Sequence, residues 1–271
     1  MKKCAYCDKT NNKISNEHII SKAFIKKYYE IGKGYINAEE KYTQNFPTVR
    51  DVCIKCNNEN LNKLDTYFRE FYEKYIPTYV INELSEIKIE YDFNKLSAWV
   101  LKTLYNSERK NSYSHLPKKM HRLKEYILGK DNRTKLFKIY VELIRDIDKE
   151  EIKRHHPDPN IEVPDKIDYL RIGNTVFSDQ LETGVTDTFK YIVTSNFVFH
   201  VFLLNPNELG ESKAKVLLDR YLKVANISRI SFLDPLKKAL TLKASNRTIV
   251  DMLEKTFEGE KHVTDRMREE L

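Results

Sequence analysis

This chain of 271 residues has no cysteine outside two C-x-x-C pairs, no long apolar run, no internal repeat and no low-complexity stretch. Each absence removes a class of protein. No segment approaches the roughly 18 consecutive apolar residues that a membrane span needs. The opening residues, MKKCAYCDKT, hold no apolar stretch of the kind a secretion signal requires, so the expected compartment is the cytoplasm. Thiols stay reduced there, which makes a disulfide framework a poor explanation for the four cysteines. What is present is ample core material, 41% hydrophobic and 11% aromatic, under a surface kept wet by 32% charged residues. The length fits a small module joined to a larger unit.

The formal charge of +7 is unevenly placed. Between Lys95 and Arg145 nine lysines and four arginines face four acids, which leaves the rest of the chain close to neutral. Such a block suits a phosphate-binding face, because each cation near a phosphate releases condensed counterions. A solvated helix surface is the plainer alternative.

Cys4, Cys7, Cys53 and Cys56 form two knuckles. Each knuckle turns two sulfurs toward one point, and two together make a closed tetrahedral site for structural Zn2+. A redox pair would need only one of them. Residues 1 to about 60 are short, polar and rich in Asn and Lys, so metal is expected to replace the core they cannot build alone.

Along the chain, Tyr35-Ile36-Asn37 and Phe46-Pro47-Thr48-Val49 suggest short strands. Leu61, Leu64, Phe68, Phe71 and Tyr75 recur at helical spacing, predicting a helix that ends near Pro77. Aromatics so spaced are core more often than base-stacking platforms. A second helix begins near Asn94 with Leu96, Trp99, Val100, Thr103 and Leu104 on one side, and a third runs from Pro117 to Gly129 with Met120, Leu123 and Ile127 inward. For Lys135–Ile147 helix is favoured over strand. His155-His156-Pro157-Asp158-Pro159-Asn160 reads as a break and loop. Strands are expected over Tyr169–Phe177, Thr186–Val193 and Phe197–Leu204, separated by turns around Gly173-Asn174, Gly184 and Ser195-Asn196. Helices follow at Ser212–Val224 and Asn246–Phe257. The reading is an α+β chain in three segments: 1–76 with the zinc site, 77–154 helical and basic, and 155–271 mixing antiparallel strands with helices.

Asn16-Glu17-His18-Ile19-Ile20 follows the first knuckle, and Asn57 directly follows the last cysteine. The pattern C-A-Y-C, N-E-H-I-I, then C-I-K-C-N-N with L-N-K-L-D resembles the four-cysteine members of the HNH endonuclease family over about residues 4–65. The resemblance implies a ββα-metal module with a catalytic divalent ion, Mg2+ or Mn2+. It makes His18 the general base, Glu17 a ligand of that ion, and Asn57 a ligand in place of the final His, with Asn58, Asn60 or Asp65 as sharers of that role. Asn45 is the nearest counterpart of the family's middle Asn. The chemistry agrees independently: phosphodiester hydrolysis needs a nucleophile drawn from water near neutral pH, the range of histidine, and a hard cation with oxygen ligands. Glu17 and His18 are adjacent, so on a regular strand they point to opposite faces, and only a bulge, a strand end or a backbone ligand brings both to one phosphate.

His115, His121, His200 and His262 have no evident sequence partners and read as surface or core. The expected function is a metal-dependent endonuclease on nucleic acid, DNA first, whose remaining segments position the target or contact a partner protein such as an ATPase. Anti-phage defence or a mobile element is the setting by analogy. The rival readings are a non-catalytic zinc module that binds nucleic acid or protein, and a degenerate nuclease.

Overall fold

The computed structural model of the chain describes residues 2–10, 12–22, 24–25, 34–36, 41–43, 47–75, 80–111, 118–132, 134–147, 150, 170–179, 185–203, 211–248 and 251. The first knuckle turns at Asp8, whose φ of 62° lets its N–H donate to the Cys4 carbonyl at 3.0 Å. Strand β1 (Ile14–His18) pairs antiparallel with β4 (Thr48–Cys53). Their register slips, Ser15 facing Val52 but Glu17 facing Val49, so β4 carries one extra residue. At this bulge the Asp51 carbonyl accepts the Ala5 N–H at 2.8 Å and ties the first knuckle to the hairpin. The intervening chain holds a short antiparallel pair, β2 (Gly34–Ile36) and β3 (Lys41–Thr43).

Past the second knuckle a wide π-type turn, Cys56–Leu61, leads into α1 (Asn62–Tyr75). Leu61, Leu64, Phe68 and Phe71 are buried as the spacing predicts, and Tyr72 joins them. These aromatics are core: Phe24 packs edge-on to Tyr72, and Phe68 lies flat on Trp99. Strand β5 (Glu86–Glu90) precedes α2 (Phe93–Asn111). Here the amphipathic expectation falls short, since every residue from Leu96 to Ser107 is buried, Lys102, Thr103 and Asn106 among them. The helix is sandwiched between two parts of the molecule, so it has no wet face over most of its length.

The helix predicted from Pro117 to Gly129 is two short pieces, α3 (Lys118–His121) and α4 (Leu123–Ile127), interrupted at Arg122. It ends as expected at Gly129, whose φ of 69° lets Lys130 N–H reach Glu125 O and Gly129 N–H reach Tyr126 O. The helix favoured for Lys135–Ile147 is a strand, β6 (Phe137–Leu143), after one 3-10 turn. It pairs on one side with β9 (Phe197–Leu203) and on the other with β10 (Ser231–Phe232). Phe137, Ile139, Val141 and Leu143 are buried and alternate with Lys138, Tyr140 and Glu142, the period of two that the helical spacing of Leu136, Ile139, Leu143 and Ile147 outweighed in the sequence.

The meander is present as β7 (Leu170–Asp179), β8 (Val185–Thr194) and β9. Gly173 and Asn174, expected at a turn, instead pair with Tyr191 and Lys190 inside β7 and β8. Ser195-Asn196 does turn, with Ser195 at φ 48°. The sheet order is β10-β6-β9-β8-β7, and α5 (Glu211–Val224) packs Leu217 and Tyr221 against Phe202 and Ile227. Strand β11 (Ala239–Lys243) pairs with β5. Most of the helix expected after Asn246, and the His155–Asn160 break, lie outside the described residues. The fold is α+β with antiparallel sheets, and one hydrophobic cluster runs from Cys4 and Phe24 through Trp99 to Phe137, Phe199 and Leu242. Among the described residues no helix is long and apolar enough to cross a membrane.

Candidate metal centre and the Glu17-His18 strand

The bulged hairpin and the turn after it bring both knuckles together, and the four sulfurs lie within 4.8 Å of one another. Zn–S bonds of about 2.3 Å in tetrahedral array put sulfurs roughly 3.8 Å apart. Cys7 and Cys53 meet that spacing at 3.8 Å. Cys53 N–H donates to Cys4 Sγ at 3.3 Å, Cys56 N–H to Cys53 Sγ at 3.5 Å, and the Asn12 amide to Cys53 Sγ at 3.6 Å. Such donors favour thiolate. Burial opposes it, yet hydrogen bonds from the Cys7, Cys53 and Tyr6 backbone bring the Cys4 thiol down to about 7. Burial and the neighbouring sulfurs push Cys56 up. Four sulfurs converge in one cluster, and the donor set is compatible with structural zinc, which would hold them as thiolates.

On β1 the burial alternates: Asn16 is exposed, Glu17 is buried and His18 is half-buried. The hairpin bulge lies on β4, so it does not turn Glu17 and His18 to one face. Glu17 Oε1 lies 2.6 Å from Lys102 Nζ, with the Asn106 amide at 3.4 Å. Lys102 also holds both oxygens of Asp65, at 2.9 and 3.0 Å, and Asp65 accepts the Trp99 indole N–H at 3.2 Å. Burial works against the Lys102 charge, but the flanking Asp65 and Glu17 carboxylates outweigh it and raise its pKa. For His18, burial and the positive charges of Lys22 and Lys102 lower the pKa, with Asp65 acting in opposition. Both influences favour the neutral imidazole, the form that accepts a proton.

Asn57 donates its amide to Ser15 Oγ at 3.0 Å and to the Asn16 carbonyl at 3.1 Å. It clamps the start of the helical segment onto β1 beside the Glu17-His18 pair. Asn58 is exposed, Asn60 is half-buried, and Asn45 lies outside the described residues. His200 is buried against Glu142 and Tyr221, His121 is exposed, and His115, His155, His156 and His262 lie outside the described residues.

Sequence reasoning missed the polar stripe of α2. Besides Lys102, Asn106 accepts Tyr6 Oη at 2.6 Å and donates to the His18 carbonyl at 3.4 Å. Arg109 forms a two-pronged pair with Asp51 at 3.0 and 3.1 Å, directly on the bulge. On the sheet side Glu108 pairs with Lys190 at 2.6 Å. The available signal was Lys102, Asn106 and Arg109 at spacings of four and three, which places them along one side of the helix. These cations, with Lys124 on Asp8, are engaged within the fold, so the basic block is a smaller phosphate face than its count suggests. Clefts of about 510 and 350 Å³ lie beside Tyr67 and Tyr75 and beside Asp51 and Arg109, and neither includes His18.

No family model, curated protein or solved structure matches this chain.

Proposed function

We propose that this protein is a zinc-stabilised HNH-type endonuclease that hydrolyses phosphodiester bonds in nucleic acid, with DNA the first substrate to test. The observation that carries the reading is a half-buried histidine on a hairpin strand that is closed by a four-cysteine cluster and followed directly by a helical segment. That order of elements, with E-H on the first strand and C-N at the helix start, agrees with the ββα arrangement that the sequence resemblance implies. His18 acts as general base on water. Zn2+ at Cys4, Cys7, Cys53 and Cys56 holds the hairpin shut, and Asn57 fixes the helical segment to β1.

The Mg2+ or Mn2+ implied by the resemblance does not fit Glu17 as it stands. Glu17 already binds an ammonium, whereas the Asn57 bonds to β1 use its amide nitrogen and not the oxygen that would bind a cation. That engagement favours one second reading, a zinc module that binds nucleic acid or a protein partner without cutting. Cleavage of supercoiled plasmid separates the two, run with and without Mg2+ or Mn2+ beside His18→Ala of confirmed zinc content. Nicking or linearisation by wild type and at least about a hundredfold loss in His18→Ala support a general base. Equal cleavage by both proteins removes His18 from the reaction. No cleavage on DNA or RNA leaves the binding module as the better reading. An anti-phage or mobile-element setting and an ATPase partner belong to the same proposal and rest on analogy alone.

A further inference from the structure

Lys102 lies outside the segment that resembles the HNH family, on a helix whose Tyr105 and Asn106 bond Ala5 and Tyr6 of the first knuckle. Its side chain is fully buried, and its ammonium has three protons to place. Three carboxylate oxygens receive them, Glu17 Oε1 at 2.6 Å and the two Asp65 oxygens at 2.9 and 3.0 Å. The acids are themselves enclosed, with Glu17 at 5% and Asp65 at 13% side-chain exposure. A hard divalent ion wants about six oxygens, several of them from water, at short and regular distances. Here the approach to Glu17 is closed by Lys102 and Asn106, and a second cation beside the buried ammonium would meet direct repulsion.

We propose that Lys102 is the positioning residue of this site: its ammonium is the cation that Glu17 and Asp65 bind, so Glu17 anchors β1 to α2 and is not a ligand of a divalent ion. The consequence for the neighbouring residue is mechanical. Glu17 fastened to α2, together with the Asn106 amide on the His18 carbonyl, holds the backbone that carries the imidazole. The inference rests on the endonuclease reading only for the importance of His18. The ion arrangement stands or falls without any cleavage.

Trp99 supplies the test, because it is the only tryptophan and its indole touches Asp65. A terbium ion bound at the acid pair would be sensitised by selective tryptophan excitation. Titration of the full-length, zinc-loaded protein with terbium is expected to give no Glu17-dependent emission in wild type. Lys102→Met, which frees both acids, gains emission, and the added change Glu17→Gln removes it. Wild-type emission that disappears in Glu17→Gln would overturn the proposal, as would a folded, zinc-retaining Lys102→Met protein with no emission. If Lys102→Met does not fold, wild type against Glu17→Gln decides alone: no Glu17-dependent signal supports the ammonium, and a Glu17-dependent signal rejects it. A cleavage assay that fails while these titrations succeed rejects the nuclease reading and leaves Lys102 in place.

Discussion

Two strands of this protein each bury a glutamate against a cation, and only one of them does so beside a half-buried histidine. Glu17 on β1 is held by Lys102. Glu142 on β6 is held by His200 at 2.9 Å and Arg247 at 3.3 Å, with Ser245 donating at 2.8 Å and Tyr221 Oη 3.1 Å from the far imidazole nitrogen. By contact geometry alone the second array is the better relay, a direct Glu-His-Tyr chain with a serine attached. Its Glu and His are 0% and 3% exposed, however, and no substrate atom can reach the imidazole. The Glu17 and His18 side chains make no such direct chain, yet the His18 imidazole is only half-buried and can meet a ligand. Access, and not the hydrogen-bond pattern, separates a candidate site from a brace.

Four measurements break or sharpen that contrast. The largest effect is expected from Cys53→Ser, which removes a ligand from the closed end of the Glu17 hairpin. It should release zinc and lower Tm by on the order of 10 °C or more, read by metal analysis and a thermal melt. Full zinc content with an unchanged melt would mean that the cysteines do not hold this end. Next come the two buried charges. Lys102→Met and Glu142→Gln should each cost about 3 kcal/mol in denaturant unfolding, since both strand a buried partner. Only Lys102→Met should also depress cleavage at temperatures where both variants remain folded. Equal activity in the two would place both clusters in the same structural class.

The third test uses pH. Burial alone would raise the Glu142 carboxyl, but His200, Arg247 and Ser245 hold it below its ordinary value of 4.5. With the folded-state value lower than the unfolded one, its stabilisation is complete above about pH 4.5 and is lost as pH falls through the folded-state value. Glu142→Gln should flatten the acid limb of stability against pH, and an unaltered limb would show that the brace does not depend on the carboxylate. The smallest effect is expected from Asn57→Ala, about 1 kcal/mol for two hydrogen bonds near the surface. Its zinc content should stay unchanged, since the four cysteines and not Asn57 form the sulfur cluster.

Features set by local spacing were legible in the sequence. The cysteine knuckles, the turn at Gly129, the inward face of α1 and the β7-β8-β9 meander all depend on residues a few positions apart. Partners that meet only after folding were not. Asn106 reaches Glu17 across 89 positions and Arg109 reaches Asp51 across 58, so Lys102, Asn106 and Arg109 looked like parts of a solvated basic block. The β6 error has a different root, because Leu136, Ile139, Leu143 and Ile147 fall at helical spacing in a segment where Phe137, Ile139, Val141 and Leu143 also alternate. The motif singled out His18 as the candidate base. The engagement of its neighbours Glu17 and Asn57 was not legible there.

The hairpin of β1 and β4 is closed at its cysteine end and open at the other. Ile19 N–H donates to the Pro47 carbonyl at 3.1 Å, so the chain departs immediately after His18 and returns immediately before its strand partner Thr48. Loop-closure entropy rises only with the logarithm of length, and doubling a flexible excursion costs about 0.6 kcal/mol. By that rule a change in the length of the connection between Ile25 and Pro47, beyond the buried Ile19, Ile20, Phe24 and Ile25, costs little in closure entropy while the cysteine cluster pins the other end. Variation in that loop can alter the surroundings of the histidine while the sulfur cluster and the packed helices keep their places.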